Sequence, residues 1–291
     1  MSFALEPPVF RPPSEAGSLI LQVTVGCSHN RCTFCSMYRT KQFRAKPLEQ
    51  VRAEVLEARA EHGGDVRRVF LADGDAMCLS ASRLAAVLDA LNEAFPRLQR
   101  IGIYANARDV LGKSDDELAD LRRRGLRILY TGLESGDEDT LAAVEKGATV
   151  AEIVEAVKRA RAAGMATSVM VLVGLAGVER SLEHARRSAE AINAMAPNYT
   201  ALLTYTPTPH SPLAGRVARG EIALPSPRES ILEIREFVAG VACETYFTCN
   251  HASNYVPLTG RLPRAKDAIL AALDSALDGA VPLKPEFLRG L

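Results

Sequence analysis

The chain has 291 residues, a length suited to two average domains or to one α/β barrel. Lysine plus arginine and aspartate plus glutamate each total 35, so the formal charge is zero and neither a nucleic acid nor an acidic membrane is indicated as an obligate partner. No apolar run approaches the ~18–20 residues that cross a bilayer, and residues 1–13 show no basic stretch followed by an apolar one. The expectation is a cytoplasmic protein, in whose reducing surroundings clustered cysteines favour metal over disulfide.

The N-terminus, residues 1–18, reads as an extended arm. An apolar run over 19–26 predicts a buried strand. Helix-like and strand-like segments then alternate: helix 47–62, strand 66–72, helix 80–95, strand 101–105, helix 114–124 opened by Ser114 and ended by Gly125, strand 128–133 and helix 137–144. Helix 150–163, strand 167–173, helix 179–195 and strand 200–206 follow. Helix 226–241 starts on Ser226 with Glu229 three residues on, a capping box. A short strand, 244–248, and a helix, 263–277, close the chain.

Strand–helix alternation of this kind implies parallel strands joined by right-handed crossovers. The expected fold class is α/β, a partial (β/α)6-type parallel barrel (an incomplete TIM barrel) with a short C-terminal extension. The barrel core is assigned to 19–242 and the extension, which closes or caps it, to 243–291. In barrels the active site lies at the C-terminal ends of the strands, so those ends are where chemistry is sought.

The first strand ends in Cys27-Ser-His-Asn-Arg-Cys32-Thr-Phe-Cys35. Three thiolates on one short loop suit an iron–sulfur cluster; a four-iron cubane held by three cysteines leaves one iron open to a small molecule. The second strand ends in Asp73-Gly74-Asp75, whose carboxylates can accept from an ammonium group and whose glycine admits close approach; an ordinary turn with solvated acids explains the same residues. Asn106 and Arg108, after the third strand, suit a carboxylate or a ribose, or else a helix cap and a surface charge. Glu134 and Ser135 end the fourth, where Glu134 can accept from ribose hydroxyls or an amine and Ser135 can cap the next helix. Lys146 either reaches a ligand carboxylate or compensates a helix C-terminus. The fifth strand runs apolar to Val173 and Gly174, a floor against which an aromatic base can lie, and equally an ordinary buried strand.

Taken together, the cysteine loop, Asp73-Gly74-Asp75, Gly132-Leu-Glu134-Ser135, Lys146-Gly-Ala-Thr149 and Val173-Gly174 resemble the radical S-adenosylmethionine (SAM) superfamily, over residues 19–240. The likeness is greatest to the branch of oxygen-independent coproporphyrinogen oxidases, tRNA methylthiotransferases and the catalytic subunit of Elongator. The resemblance implies that Cys27, Cys32 and Cys35 ligate a 4Fe–4S cluster and that SAM chelates its fourth iron. It places Asp73, Gly74 and Asp75 at the methionyl amine, Glu134 and Ser135 in the ribose and methionyl region, and Phe34 near adenine. The implied reaction cleaves SAM to a 5′-deoxyadenosyl radical that takes hydrogen from a substrate. One departure stands out: four residues separate Cys27 from Cys32, where most of the superfamily has three.

Substrate residues are sought near the barrel mouth, where His210, His251 and Tyr255 fall; for the two histidines, hydrogen bonding within turns is the competing explanation. Cys78, Cys243 and Cys249 are too scattered to suit an auxiliary cluster and read as buried hydrophobes. The leading expectation is a stand-alone radical SAM enzyme acting on a small molecule, with a low-potential electron donor such as flavodoxin or ferredoxin. The sequence shows no cobalamin-binding domain or RNA-binding appendage. Two alternatives are a tRNA-modifying enzyme, using Arg122-Arg-Arg124 and Arg186-Arg187 as basic patches, and a non-catalytic iron–sulfur or zinc protein.

Overall fold

A computed structural model describes residues 5–290; positions 1–4 of the expected arm lie outside the described residues. In chain order the elements are β1 (Leu19–Gln22), β2 (Thr24–Val25), β3 (Arg44–Ala45), α1 (Leu48–His62), β4 (Arg68–Ala72), α2 (Ala81–Ala94), β5 (Arg100–Tyr104), α3 (Ala107–Leu111), α4 (Asp115–Arg123), β6 (Leu126–Glu134), α5 (Glu138–Ala143) and α6 (Val150–Ala162). They continue with β7 (Ala166–Val173), α7 (Ser181–Met195), β8 (Tyr199–Thr204), α8 (Pro212–Ala218), α9 (Pro227–Gly240), β9 (Thr245–Thr248), β10 (Thr259–Leu262) and α10 (Lys266–Leu277). Two compact units emerge. One takes residues up to Asn30, Met37–Thr131 and Glu155–Thr167; the other takes Arg31–Ser36, Gly132–Val154 and the chain from Ser168 onward.

In the first unit β1, β4, β5 and the start of β6 are parallel neighbours, with Leu21 opposite Leu71 and Ile103 opposite Leu129. Phe70, Tyr104 and Tyr130 meet edge to face at centroid distances of 5.0–6.2 Å, the geometry that ring quadrupoles favour. The Tyr130 hydroxyl donates to the wholly buried Glu15, which also pairs with Arg100 at 2.8 Å. Glu15 thereby anchors the described part of the arm, through a short turn at Pro13–Glu15. Helix α4 starts on the capping box of Ser114 and Glu117.

In the second unit β7, β8 and β9 are parallel and β10 turns back antiparallel on β9. Helices α7, α9 and α10 pack in series. Both residues of the predicted capping box open α9, with Pro227 in its first turn where the missing N–H costs nothing. Parallel strands that neighbour each other in chain order, each followed by a helix, make this an incomplete TIM-barrel-type α/β fold.

The predicted strand 19–26 is broken. Its parallel partner β4 ends at Ala72, so the chain beyond Gln22 loses that edge, and Thr24–Val25 pairs antiparallel with Arg44–Ala45 instead. The predicted final helix starts at Lys266 rather than 263, because residues 259–262 are spent on the β9–β10 hairpin. Helices α3 and α8 add to the expected elements.

Candidate functional site

In the first unit, Asp73 is wholly buried just past β4. Its Oδ2 accepts from the Gln22 side-chain amide at 2.8 Å, from the Gly26 N–H at 2.8 Å and from the Lys41 ammonium at 2.9 Å. Lys41 also donates to the carbonyls of Glu6 and Pro8, each at 2.6 Å. One carboxylate thus fastens β1, the start of the cysteine loop and the arm. Its other oxygen, Oδ1, is buried without a partner among the described residues. Such an acceptor is costly to leave unmade. At Gly74 a Cβ would lie 2.4 Å from the Tyr38 ring and 3.2 Å from the Cys27 Cβ, so only glycine lets this backbone pass under the loop.

Asp75 is also wholly buried. The Asn106 N–H donates to its Oδ1 at 3.2 Å, and Ser28 and Arg108 sit on its Oδ2 side, Arg108 at 3.6 Å. Arg108 donates to the Ser28 hydroxyl as well. Asn106 precedes α3 without capping it through its side chain; its Nδ2 is buried and unpartnered among the described residues. Sequence reasoning missed Asp109. Burial, and then the neighbouring Asp75 carboxylate, push its acid up to about 7.

An unfolded aspartate titrates near ~4, so at pH values between there and about 7 the folded chain holds a proton that the unfolded chain has lost. Stability therefore falls as pH rises across that window and stays at the lower level above it. Asp109→Asn is expected to remove this loss. Its melting temperature should gain on wild type as pH rises through the window and stay higher at alkaline pH. Parallel melting curves for the two proteins at every pH would refute the assignment.

In the second unit, the Cys32–Cys35 turn is closed by the Cys35 N–H on the Cys32 carbonyl at 3.2 Å. Two backbone bonds dock it: the Thr33 N–H to the Val144 carbonyl and the Leu213 N–H to the Thr33 carbonyl, both 2.9 Å. Phe34 packs on the cluster of Val144, Leu175, Tyr205 and Leu213. Beside that cluster lies an open pocket of ≈ 220 Å³, lined by Thr140, Val144, Leu175, Ala176, Leu213 and Ile222 together with Arg180, Arg216 and Asp139. Helix α8 thus supports the cysteine loop. The Ser211-Pro212 start, a cap followed by a first-turn proline, was the signal that could have found it.

At the end of β6, Glu134 is buried and pairs with Lys146 at 2.9 Å. A Cβ on Gly132 would lie 1.7 Å from Glu134 Oε1 and 2.9 Å from Lys146 Nζ, so a side chain there would push the charged ends of this pair out of place. Ser135 is fully buried and its Oγ accepts from the Asp137 N–H at 3.0 Å; the cap of α5 is Asp137 rather than Ser135. The Val173 carbonyl accepts from the Tyr205 N–H at 2.9 Å, and Gly174 turns the chain with φ +82°.

His210 is exposed, with φ +69°. His251 Nδ1 accepts from the Ser253 N–H at 3.2 Å and lies 2.9 Å from its hydroxyl; burial and then the Lys284 charge lower its pKa. Tyr255 donates to Glu286 at 3.0 Å and carries Arg289 stacked 4.0 Å over its ring; burial pushes its phenol up to about 12. These bonds tie the loop after β9 to the C-terminal segment. None of the six cysteines is in a disulfide. Burial pushes the Cys78 and Cys249 thiols up to about 12, which makes both weak nucleophiles and poor ligands.

The family model of the radical SAM superfamily matches residues 21–189, and the chain belongs to that family. A curated relative, the anaerobic magnesium-protoporphyrin IX monomethyl ester cyclase of Cereibacter sphaeroides, is 29% identical over 191 residues, 65% of this chain and 30% of its own. Among solved structures, the coproporphyrinogen III oxidase of Escherichia coli matches with a TM-score of 0.55 and 21% identity, over 76% of this chain and 51% of that one. The radical SAM methyltransferase TsrM from Kitasatospora setae matches with a TM-score of 0.56 and 19% identity, over 92% and 55%. At those identities the two structures speak for the fold. The chain spans under a third of the curated relative and roughly half of each structure.

Among the described residues no three His, Cys, Asp or Glu side chains form a group that could hold a single metal ion. A cubane asks for something else, because each thiolate binds a different iron and the sulfurs stand apart. The donor set fits it: three cysteines within nine residues, none in a disulfide, with the Gly74 backbone passing against the Cβ of the first. Among the described residues no helix is long and apolar enough to cross a membrane.

Proposed function

We propose that this chain is a radical SAM enzyme that holds a 4Fe–4S cluster on Cys27, Cys32 and Cys35 and acts on a small-molecule substrate. When bound, the cluster supplies the electron that cleaves SAM to methionine and a 5′-deoxyadenosyl radical. The chain's own residues bind and orient. Asp73 Oδ1, buried and unpartnered, is an acceptor suited to the methionyl ammonium. Asp75, Asn106 and Arg108 line the same strand ends, and the unspent Asn106 Nδ2 is a donor for a carboxylate or hydroxyl. Glu134, Ser135 and Lys146 form the ribose and methionyl side, while Phe34 and the Val173–Gly174 turn flank the adenine. The segment 243–291 closes the mouth, where His210, His251 and Tyr255 are the substrate candidates, and a flavodoxin or ferredoxin is the electron donor.

The carrying observation is the cysteine loop, seated on the Gly74 cradle within the stretch that matches the family. Two of the relatives are named for porphyrin substrates, which supports a small-molecule reading. Four of the five arginines of the tRNA alternative are matched by acids, Arg123 and Arg124 by Asp120 and Asp89, and Arg186 and Arg187 by Glu183, Glu190 and Glu236, while Arg122 donates to the Gly164 carbonyl. The test is anaerobic reconstitution followed by SAM and dithionite. The expected result is ~4 irons per chain and formation of 5′-deoxyadenosine. A fully loaded protein that leaves SAM intact would overturn the reading.

A further inference from the structure

The end of β6 is strained. Glu134 has φ +62°, and the Ser135 N–H donates to the Leu133 carbonyl at 2.8 Å, closing a three-residue turn around it. A γ-turn with a left-handed centre is rare for a residue with a side chain and persists only where its surroundings over-determine it. The Glu134 carbonyl faces His184 Nε2 at 3.3 Å. His184, in α7, is 1% exposed, and its Nδ1 lies 2.9 Å from Oε1 of Glu233 in α9, itself 1% exposed.

Glu233 accepts from the Gly174 N–H on Oε1 at 2.8 Å and from the Ser181 hydroxyl on Oε2. Each of its oxygens thus holds a donor from the strand end or the start of α7. A carbonyl can only accept, so His184 donates from Nε2 to Glu134. The Nδ1–Oε1 contact is short but is not a hydrogen bond, and Nδ1 has no other partner among the described residues. A buried acid and base, used by none of the proposed ligand contacts, thus join the carbonyl at the end of β6 to the N–H at the start of the turn after β7.

We propose that His184 and Glu233 are a positioning couple that holds the Glu134 and Gly174 turns in the geometry SAM requires. The assignment rests on the radical SAM reading of these strand ends. Removing either member leaves the Glu134 turn or the Gly174 N–H without its buried partner, and both turns are then expected to relax.

The experiment compares wild type with His184→Gln, Glu233→Gln and Ile192→Val, the last a wholly buried α7 position outside the couple. In protein without cluster, hydrogen exchange over residues 133–136 and 174–177 is expected to accelerate in the two Gln variants and not in Ile192→Val. In cluster-loaded protein the Kd for SAM is expected to rise roughly 10–100-fold, as for other outer partners of a bound group, again with Ile192→Val unmoved despite a lower melting temperature. Wild type that binds no SAM would defeat the radical SAM reading while the exchange data still decide the couple. Wild type that binds SAM, with Gln variants matching it in Kd and exchange, would overturn the couple alone. If neither Gln variant folds, hydrogen exchange in wild type decides: protected Gly174 and Ser135 N–H groups support the couple, and exchange as fast as that of exposed loop amides overturns it.

Discussion

Cys27→Ala, Cys32→Ala and Cys35→Ala, each reconstituted anaerobically, are expected to lose the chelating iron–sulfur chromophore and to form 5′-deoxyadenosine at background level. A cubane with three protein ligands has no spare thiolate, and a lost ligand leaves two irons without one. The loss should be chemical rather than structural. All three side chains are only half buried, and the loop that carries them is docked by backbone bonds at Thr33, which an alanine at any of the three positions leaves intact. Melting temperatures of the cluster-free variants should therefore stay close to wild type. Cys78→Ala is the control: its thiol is protonated and half buried, so iron content and SAM cleavage are expected to persist. A Cys32→Ala protein that retains full iron and turnover would show that the ligands lie elsewhere.

The alternation of strands and helices was legible because a parallel strand buried on both faces writes a short apolar run, and each helix writes a 3.6-residue stripe with its own caps. Ser114, Ser226 and Glu229 fall where the capping pattern put them, and Glu117 completes the box on α4. Local signals failed where partners decided. Thr24 and Val25 look like the continuation of β1, yet they leave the sheet because β4 stops at Ala72. Positions on the strand ends could be named from chain order, but not their bonding. Nothing in Asp73 foretells that Lys41, thirty-two residues earlier, shares its Oδ2. His184 and Glu233 lie on different helices and each reads as an ordinary helical position; only the packing of α7 on α9 sets them against each other. Glu134 shows the same limit at one residue, since a left-handed glutamate has no sequence signature and its cost is met by the fold around it.

Asp73→Ala is expected to cost ~3–5 kcal/mol of stability, the usual range for breaking a buried ion pair from one side. It strands the Lys41 ammonium, the Gln22 amide and the Gly26 N–H in a place water does not reach. Thermal melts of cluster-free protein should show a fall on the order of 10 °C, and a change within a degree or two would mean that the pair contributes nothing. The functional part of Asp73 separates from this structural one through its partner. Lys41→Met with Asp73→Asn replaces the pair by neutral groups of similar size, an exchange that is often close to neutral for stability, and a double-mutant cycle measures how much is recovered. In that double variant the melting temperature is expected to return most of the way to wild type. SAM affinity is not, because the asparagine retains a buried polar oxygen but loses the charge that favours a methionyl ammonium over water. Recovery of both together would make Asp73 a structural residue only, and the ammonium would then have to be met by Asp75 or Glu134.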